Sequence, residues 1–258
     1  MKTGITAFID ILGFSDKVLN ASSESDFNLI IEDLKKVQQE FDCQGETGLL
    51  STDYDYYETK VLAFSDCIVV NINIESVAAQ FSGEFDPIAS ALHSIIIAQA
   101  CCVKKSIFLR GGIGKGWWFH DKDMLVSQGL VNAFRTEKTI VNPIIALDSE
   151  FTDYFTNHAG QNCYSNKINP VKNLLKTTNF NGDNKYFLDY LGVWFNELLE
   201  NDSEAHALNW IQIHAENITA GWKNANCPRV QGKYEWLAQY HNDFVDSYQI
   251  DKKFKCKF

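Results

Sequence analysis

The chain has 258 residues, 45% of them apolar, enough to bury a sizeable core in one large domain or in one domain with a substantial extension. Its 33 acidic residues against 23 basic ones give a formal charge of −10, which excludes the broad basic footprint of a nucleic-acid-binding surface. A bound nucleotide is not excluded, because a metal-loaded pocket is locally positive even in an acidic protein.

Residues 4–12 are apolar and β-prone, and Gly13 and Ser15 follow as a turn and a helix start. Residues 24–42 place Phe27, Ile30, Ile31, Leu34 and Val37 at helical spacing. A polar, Tyr-rich stretch covers 43–56, and 57–65 and 67–74 then read as a hairpin of two strands meeting at Ser65-Asp66. Residues 86–105 read as a buried helix with Pro87 near its start. Next come a strand at 107–109 running into a glycine-rich turn (Gly112 to Gly116), a short strand at 123–128, a helix at 129–139 and a strand at 142–148. This β-α-β-β-α-β-β-α-β order predicts an α+β sandwich on a ferredoxin-like core, with helices covering one face of the sheet. The Asn-, Lys- and Thr-rich segment 156–183 reads as loops. Helices are expected at 184–200, 202–224 and 230–248, with Trp194, Trp210, Trp222 and Trp236 as packing anchors. The domain reading is thus a core of residues 1–155 and a helical extension of 156–258 packed on it.

Seven cysteines form no CxxC pair, which argues against structural zinc, and free thiols suit a reducing compartment. The N-terminus carries no signal-peptide pattern, and no uninterrupted apolar run approaches the roughly 20 residues of a membrane span. A cytoplasmic location with no membrane contact is the expectation.

Two aspartates carry the chemistry. Asp10 stands in the run FIDI (8–11) near its end and Asp66 interrupts AFSDCIVV (63–70). A carboxylate in an apolar strand is costly unless something balances its charge. Mg²⁺ or Mn²⁺ does so, using one or two protein carboxylates and filling its other positions with water and substrate phosphates.

In order and spacing, FIDILGFS (8–15), AFSDCIVV (63–70), FLRGGIGKG (108–116) and LVSQGLVNAFRTEK (125–138) resemble the metal strands, following strand and dimer-facing helix of the class III nucleotidyl cyclases. The FSD hairpin, the RGGI strand, the A-F-x-x-E pattern of Ala133–Glu137 and the helix bearing Lys233, Tyr234, Trp236 and His241 are most similar to the Pycsar pyrimidine cyclases. These are bacterial antiphage enzymes that make cyclic UMP or cyclic CMP. The resemblance spans about residues 4–150 and implies a set of roles. Asp10, Asp66 and the Ile11 carbonyl bind two Mg²⁺ or Mn²⁺ ions. The N–H groups of Gly13, Phe14 and Ser15 cradle phosphate oxygens. Arg135 stabilises the α-phosphate from the opposite subunit of a head-to-tail homodimer, and Asn132 orients the ribose. Aligning Ala133 with the family alanine instead puts Val131 at that asparagine position, and the two alignments stay open.

The base-reading positions fall on Leu62 and Met124, neither of which makes the hydrogen bonds that select adenine. The implied substrate is UTP, or CTP, and the implied indirect partner is a cyclic-nucleotide-sensing effector. Tyr56, Tyr57, Glu58 and Lys60 are further candidates for reading the base. An adenylyl or guanylyl cyclase with an unusual base pocket, or a degenerate nucleotide-binding regulator, are the alternatives. Several residues take plainer roles: Arg110 pairs with an acid, Cys67 packs, and the histidines lack metal spacing.

Overall fold

The computed structural model describes residues 2–41, 59–121, 124–157, 169–180, 183–225 and 227–258. Tyr56, Tyr57, Glu58, Cys43, Cys163 and the Tyr-rich stretch lie outside the described residues. The first half runs β1 (Lys2–Ile11), α1 (Phe14–Asn20), α2 (Glu24–Phe41), β2 (Lys60–Phe64), β3 (Cys67–Asn73), α3 (Val77–Ser82), α4 (Phe85–Lys104) and β4 (Leu109–Asp121). It continues through β5 (Met124–Ser127), α5 (Gln128–Thr139), β6 (Ile145–Leu147) and α6 (Ser149–Asn157) to β7 (Leu175–Phe180) and β8 (Asp183–Leu188). Helices α7 (Tyr190–Asn201), α8 (Glu204–Lys223) and α9 (Pro228–Ser247) follow.

The sheet order is β2-β3-β1-β4-β6-β8-β7, with β5 paired to β4. Along β2-β3-β1-β4 each strand is antiparallel to the next, the split arrangement of a ferredoxin-like core, and among the described residues only the β4–β6 pair is parallel. The fold is α+β, as the order of elements predicts, with a helical C-terminal end.

Alternation along β1 divides the two faces. Ile5, Ala7, Ile9 and Ile11 point into the main core with Ile68, Val70, Ile72 and Ile113. Helix α4 contributes Ile88, Leu92, Ile95 and Ile96 to that core, all fully buried. By length and composition alone α4 is apolar enough to cross a membrane, and 61% of its most apolar window is buried in the fold. The opposite face carries Thr6, Phe8 and Asp10 and receives α5.

Two sequence expectations are corrected. The glycine-rich segment is not a turn, because β4 runs straight through it. Its glycines form a bare strip on which α5 lies backbone to backbone. A Cβ on Gly112 would stand 2.0 Å from the Ala133 carbonyl oxygen, and one on Gly116 would stand 2.6 Å from Gly129 N. Ser127 caps α5 by accepting from Leu130 N, and its Oγ also lies 3.1 Å from Thr6 Oγ1, so the helix start is tied to β1. The second correction concerns 156–200: Leu175–Phe180, expected as loop, is β7, and Asp183–Leu188, where a helix was expected from 184, is β8; the hairpin joins β6 through Ala146 and Phe187 and widens the sheet, and the helix begins only at Tyr190.

The last three helices pack against α4 and each other through aromatic contacts and a buried polar chain. His241 Nε2 faces the Phe254 carbonyl at 2.8 Å, so it donates there; its Nδ1 then accepts from His214 Nδ1 at 2.8 Å. His214 Nε2 accepts from Tyr190 Oη, also at 2.8 Å. Both rings are fully buried and neutral, and burial lowers both pKa values below the ordinary 6.5, that of His214 strongly. A depressed folded-state pKa means that the unfolded chain takes up protons first as the pH drops. Stability is therefore expected to fall below about pH 6.5, by up to about 2.7 kcal/mol per pH unit for the two rings. Urea denaturation across a pH series measures it, and a flat profile between about pH 5 and 6.5 contradicts the assignment.

Candidate active site

Strand register builds the site. Asp10 pairs across β1 with Cys67 of β3 on one side and Arg110 of β4 on the other, so all three side chains share the face that receives α5. Asp66 precedes Cys67 in the tight β2–β3 turn, where Ser65 adopts φ 53° and donates its hydroxyl to the Asp66 carboxylate at 3.0 Å. One oxygen each from Asp10 and Asp66 and the Cys67 Sγ lie within 4.8 Å of one another.

The charges there are unbalanced. Burial pushes the Asp10 carboxyl up to about 7; the hydrogen bond and charge of Asp66 push the same way, and Arg110 opposes them. Burial, then the charges of Asp66 and Asp10, push the Cys67 thiol up to about 12, so it stays protonated near neutral pH. The two carboxylates offer the oxygen ligands that suit a hard cation such as Mg²⁺ or Mn²⁺.

Arg110 holds the second side of Asp10. Its Nη2 donates to Asp10 Oδ2 at 3.1 Å and also pairs with Glu137 of α5, a carboxylate only 1% exposed. Lys138 Nζ lies 3.8 Å from the other Glu137 oxygen. Glu137 stood in the A-F-x-x-E pattern without a role. The signal for one was an acid four residues after Ala133, on the face the helix buries.

The other flank of α5 carries the remaining predicted residues. Asn132, Arg135 and Thr136 line a cleft of about 280 Å³ together with Asp148, Glu150 and Lys185. Neither Asp10 nor Asp66 lines it, so one chain brings Arg135 and Asn132 together but not onto the carboxylate pair. The Asn132 amide donates to the Lys115 carbonyl at 3.1 Å and to Glu150 Oε2 at 3.3 Å, whereas Val131 is 48% exposed.

Ile11 ends β1 with its side chain buried, and Gly13 caps α1 in the left-handed region at φ 76°, which favours glycine. Phe14 is buried and Ser15 exposed. Leu62 packs on a small cluster of Phe8, Val69 and Ala133. Leu125 joins that cluster; its neighbour Met124 does not and stands 52% exposed.

No protein-family model matches the chain, and no curated protein matches it. Among solved structures, the adenylyl cyclase CyaB from P. aeruginosa is similar over 73% of this chain and 94% of its own, at 15% identity and a TM-score of 0.43. The monomeric guanylyl cyclase domain of the RhoGC fusion protein from Blastocladiella emersonii is similar over 73% and 95%, at 16% identity and a TM-score of 0.45. A class III adenylyl cyclase-like ATP-binding protein from Pseudomonas aeruginosa is similar over 77% of this chain and 40% of its own, at 13% identity and a TM-score of 0.46.

Two expectations follow from the charge arrangement. Arg110→Met leaves Glu137 buried without its main counter-charge and is expected to cost about 3–5 kcal/mol in chemical denaturation. Asp10 has a folded-state pKa raised from the ordinary 3.8, so its contribution to stability is complete below that value and is lost as the pH rises through about 7. This opposes the histidine effect, which prevails between about pH 5 and 6.5 because two groups act against one. Cation binding must displace the Asp10 proton, so the rise in melting temperature with Mn²⁺ is expected to be larger at about pH 8 than at about pH 5.5. Equal shifts at both pH values would remove Asp10 from the cation site.

Proposed function

We propose that the protein is a metal-dependent nucleotide cyclase acting on a pyrimidine triphosphate, converting UTP to 3′,5′-cyclic UMP, or CTP to cyclic CMP, with release of diphosphate. The observation that carries the reading is the convergence of Asp10 of β1 and Asp66 of the β2–β3 turn, with a carboxylate pair too crowded for its own charge. A cation pair held there by Asp10, Asp66 and the Ile11 carbonyl would lower the pKa of the ribose 3′-hydroxyl and neutralise the β- and γ-phosphates. The reaction forms a bond from O3′ to the α-phosphorus and breaks the bond to the bridging oxygen of the leaving diphosphate.

This chain's residues then divide the work. Arg110 and Glu137 fix Asp10 in place, and the main-chain N–H groups at Gly13, Phe14 and Ser15 face the phosphates. Arg135 from a second subunit meets the charge that grows on the α-phosphate, a contact worth about 3–4 kcal/mol of barrier. Asn132 from the same flank orients the ribose. Such a site is complete only in a head-to-tail homodimer. Its support is twofold: Arg135 lies outside the carboxylate site within one chain, and exposed apolar residues gather on the β4–β5 hairpin (Trp117, Phe119, Met124, Val126) and on α5 (Val131, Phe134).

The pyrimidine assignment rests on Leu62 and Met124, which offer a purine no polar partner. The subgroup resemblance adds antiphage signalling through an effector that senses the cyclic product. A reducing, cytoplasmic setting accords with the free thiols of Cys67, Cys101, Cys102, Cys227 and Cys256. A second reading, a nucleotide-binding regulator without turnover, is favoured by Asn132, whose amide is already engaged within its own chain while Val131 faces solvent.

Incubation with Mn²⁺ and each of the four labelled nucleoside triphosphates is expected to give a cyclic product from UTP or CTP, abolished by Asp66→Ala. Product from ATP or GTP alone rejects the pyrimidine assignment, and saturable binding without product favours the regulator. Arg135→Ala is expected to lower kcat about 10²–10³-fold. Mixing equal amounts of the two inactive variants restores about a quarter of wild-type activity if sites are shared across a two-fold axis, and none if each chain works alone.

A further inference from the structure

Two acids compete for Arg110. Its Nη2 donates to Asp10 Oδ2 at 3.1 Å and pairs with Glu137, while its Nε is buried with no partner among the described residues. One guanidinium charge is thus divided between two carboxylates. Glu137 depends on its share. It is 1% exposed, neither of its oxygens accepts a hydrogen bond among the described residues, and its other cation, Lys138, stands 3.8 Å away with a side chain 62% exposed. A buried carboxylate is unfavourable unless a counter-charge answers it.

The glycine strip puts Glu137 in that place. A Cβ on Gly112 would stand 2.9 Å from Glu137 N, so α5 comes down onto β4 at the residue that meets Arg110. Electrostatics then gives the arrangement a sign. A guanidinium answered by Asp10 alone is a fixed positive charge beside the Asp10–Asp66 pair, and it repels any cation drawn to those oxygens. Glu137 cancels that charge at its source. With Glu137 present, three carboxylates face one guanidinium, and the cluster is net negative where Asp10 and Asp66 converge. Glu137 is buried, so salt screens its effect far less than it would a surface charge.

We propose that Glu137 is a positioning residue that sets the cation affinity of the Asp10–Asp66 site by drawing the charge of Arg110 away from Asp10. This role presupposes the cation site read above and is independent of the nucleotide that site serves. It makes α5 a helix that tunes the carboxylates of its own chain without touching the cation.

Mn²⁺ alone, titrated calorimetrically into the full chain at about pH 8, is the probe, because the Asp10 proton competes little there. Wild type is expected to bind saturably and Asp66→Ala to lose that binding, which identifies the site. Glu137→Gln keeps the side chain's shape and removes its charge; it is expected to bind Mn²⁺ about tenfold more weakly. The double variant Arg110→Met with Glu137→Gln removes both charges and is expected to return to within about threefold of wild type. A residue that only held the fold would not show this recovery, because the double variant also takes away the arginine that steadies Asp10. Glu137→Gln binding within about twofold of wild type overturns the proposal and leaves the cation site standing, as does a double variant that binds no better than Glu137→Gln. A wild type that does not bind Mn²⁺, or an Asp66→Ala variant that binds it equally well, removes the cation site and the proposal together. If no triphosphate is cyclised while Mn²⁺ affinity still follows the charge of Glu137, the cyclase reading fails and the role of Glu137 stands.

Discussion

The position of Asp10 is the constraint from which the rest of the site follows. It stands next to last in β1, an inner strand of the antiparallel core, so it has a neighbour on each side and no freedom to swing away from either. One side presents Asp66 through the β2–β3 turn and the other presents Arg110. A carboxylate held between a like charge and an opposite one is poised: burial and Asp66 favour its proton, and Arg110 favours its ionised form. Burial and Asp66 outweigh Arg110 and raise the carboxyl to about 7, so near neutral pH the proton is loosely held and a cation displaces it at small cost.

Arg110 does not act alone, and the reason lies in glycine. The α5 backbone can approach β4 closely enough to place Glu137 beside Arg110 only because Gly112, Gly114 and Gly116 carry no side chains there. A methyl group at Gly112 would overlap the Ala133 carbonyl, so helix and strand would part before Glu137 reached its partner. The helix that seals the buried ion pair on one flank exposes Val131, Phe134 and Arg135 on another. Its pitch thus ties two functions together: Glu137 orders the carboxylate site of its own chain, and Arg135 is offered outward. A shift of α5 along the glycine strip would disturb both at once.

Much of this was legible in the sequence because it lies in local patterns. Apolar runs broken by single aspartates gave the strands and their ends, helical spacing gave α2 and α4, and the order of elements gave the core. What escaped was set by tertiary context. Gly112–Gly116 reads locally as a turn, and only the helix lying on it explains an extended strand so rich in glycine. The β7–β8 hairpin is rich in Lys, Thr and Asn because it lies at the sheet edge, where polar side chains face water. Glu137 was visible as a residue but not as a partner, since its meaning depends on an arginine 27 positions earlier that strand register, not spacing, brings near. Arg110 was expected to pair with an acid; that it bridges two was not readable.

The C-terminal helices raise a question of balance that their aromatic packing does not answer. A buried polar group left without a partner among those rings would cost stability. The neighbouring histidines show the alternative: His214 and His241 are equally buried, yet each polar atom along their chain meets a partner and both rings stay neutral. That chain ties α9 to α8 through His241 and His214, α8 to α7 through Tyr190, and α9 to the C-terminal segment through the Phe254 carbonyl. Aromatic contacts tolerate small slides between helices, whereas a run of hydrogen bonds does not, so the polar chain is what fixes the three helices relative to one another.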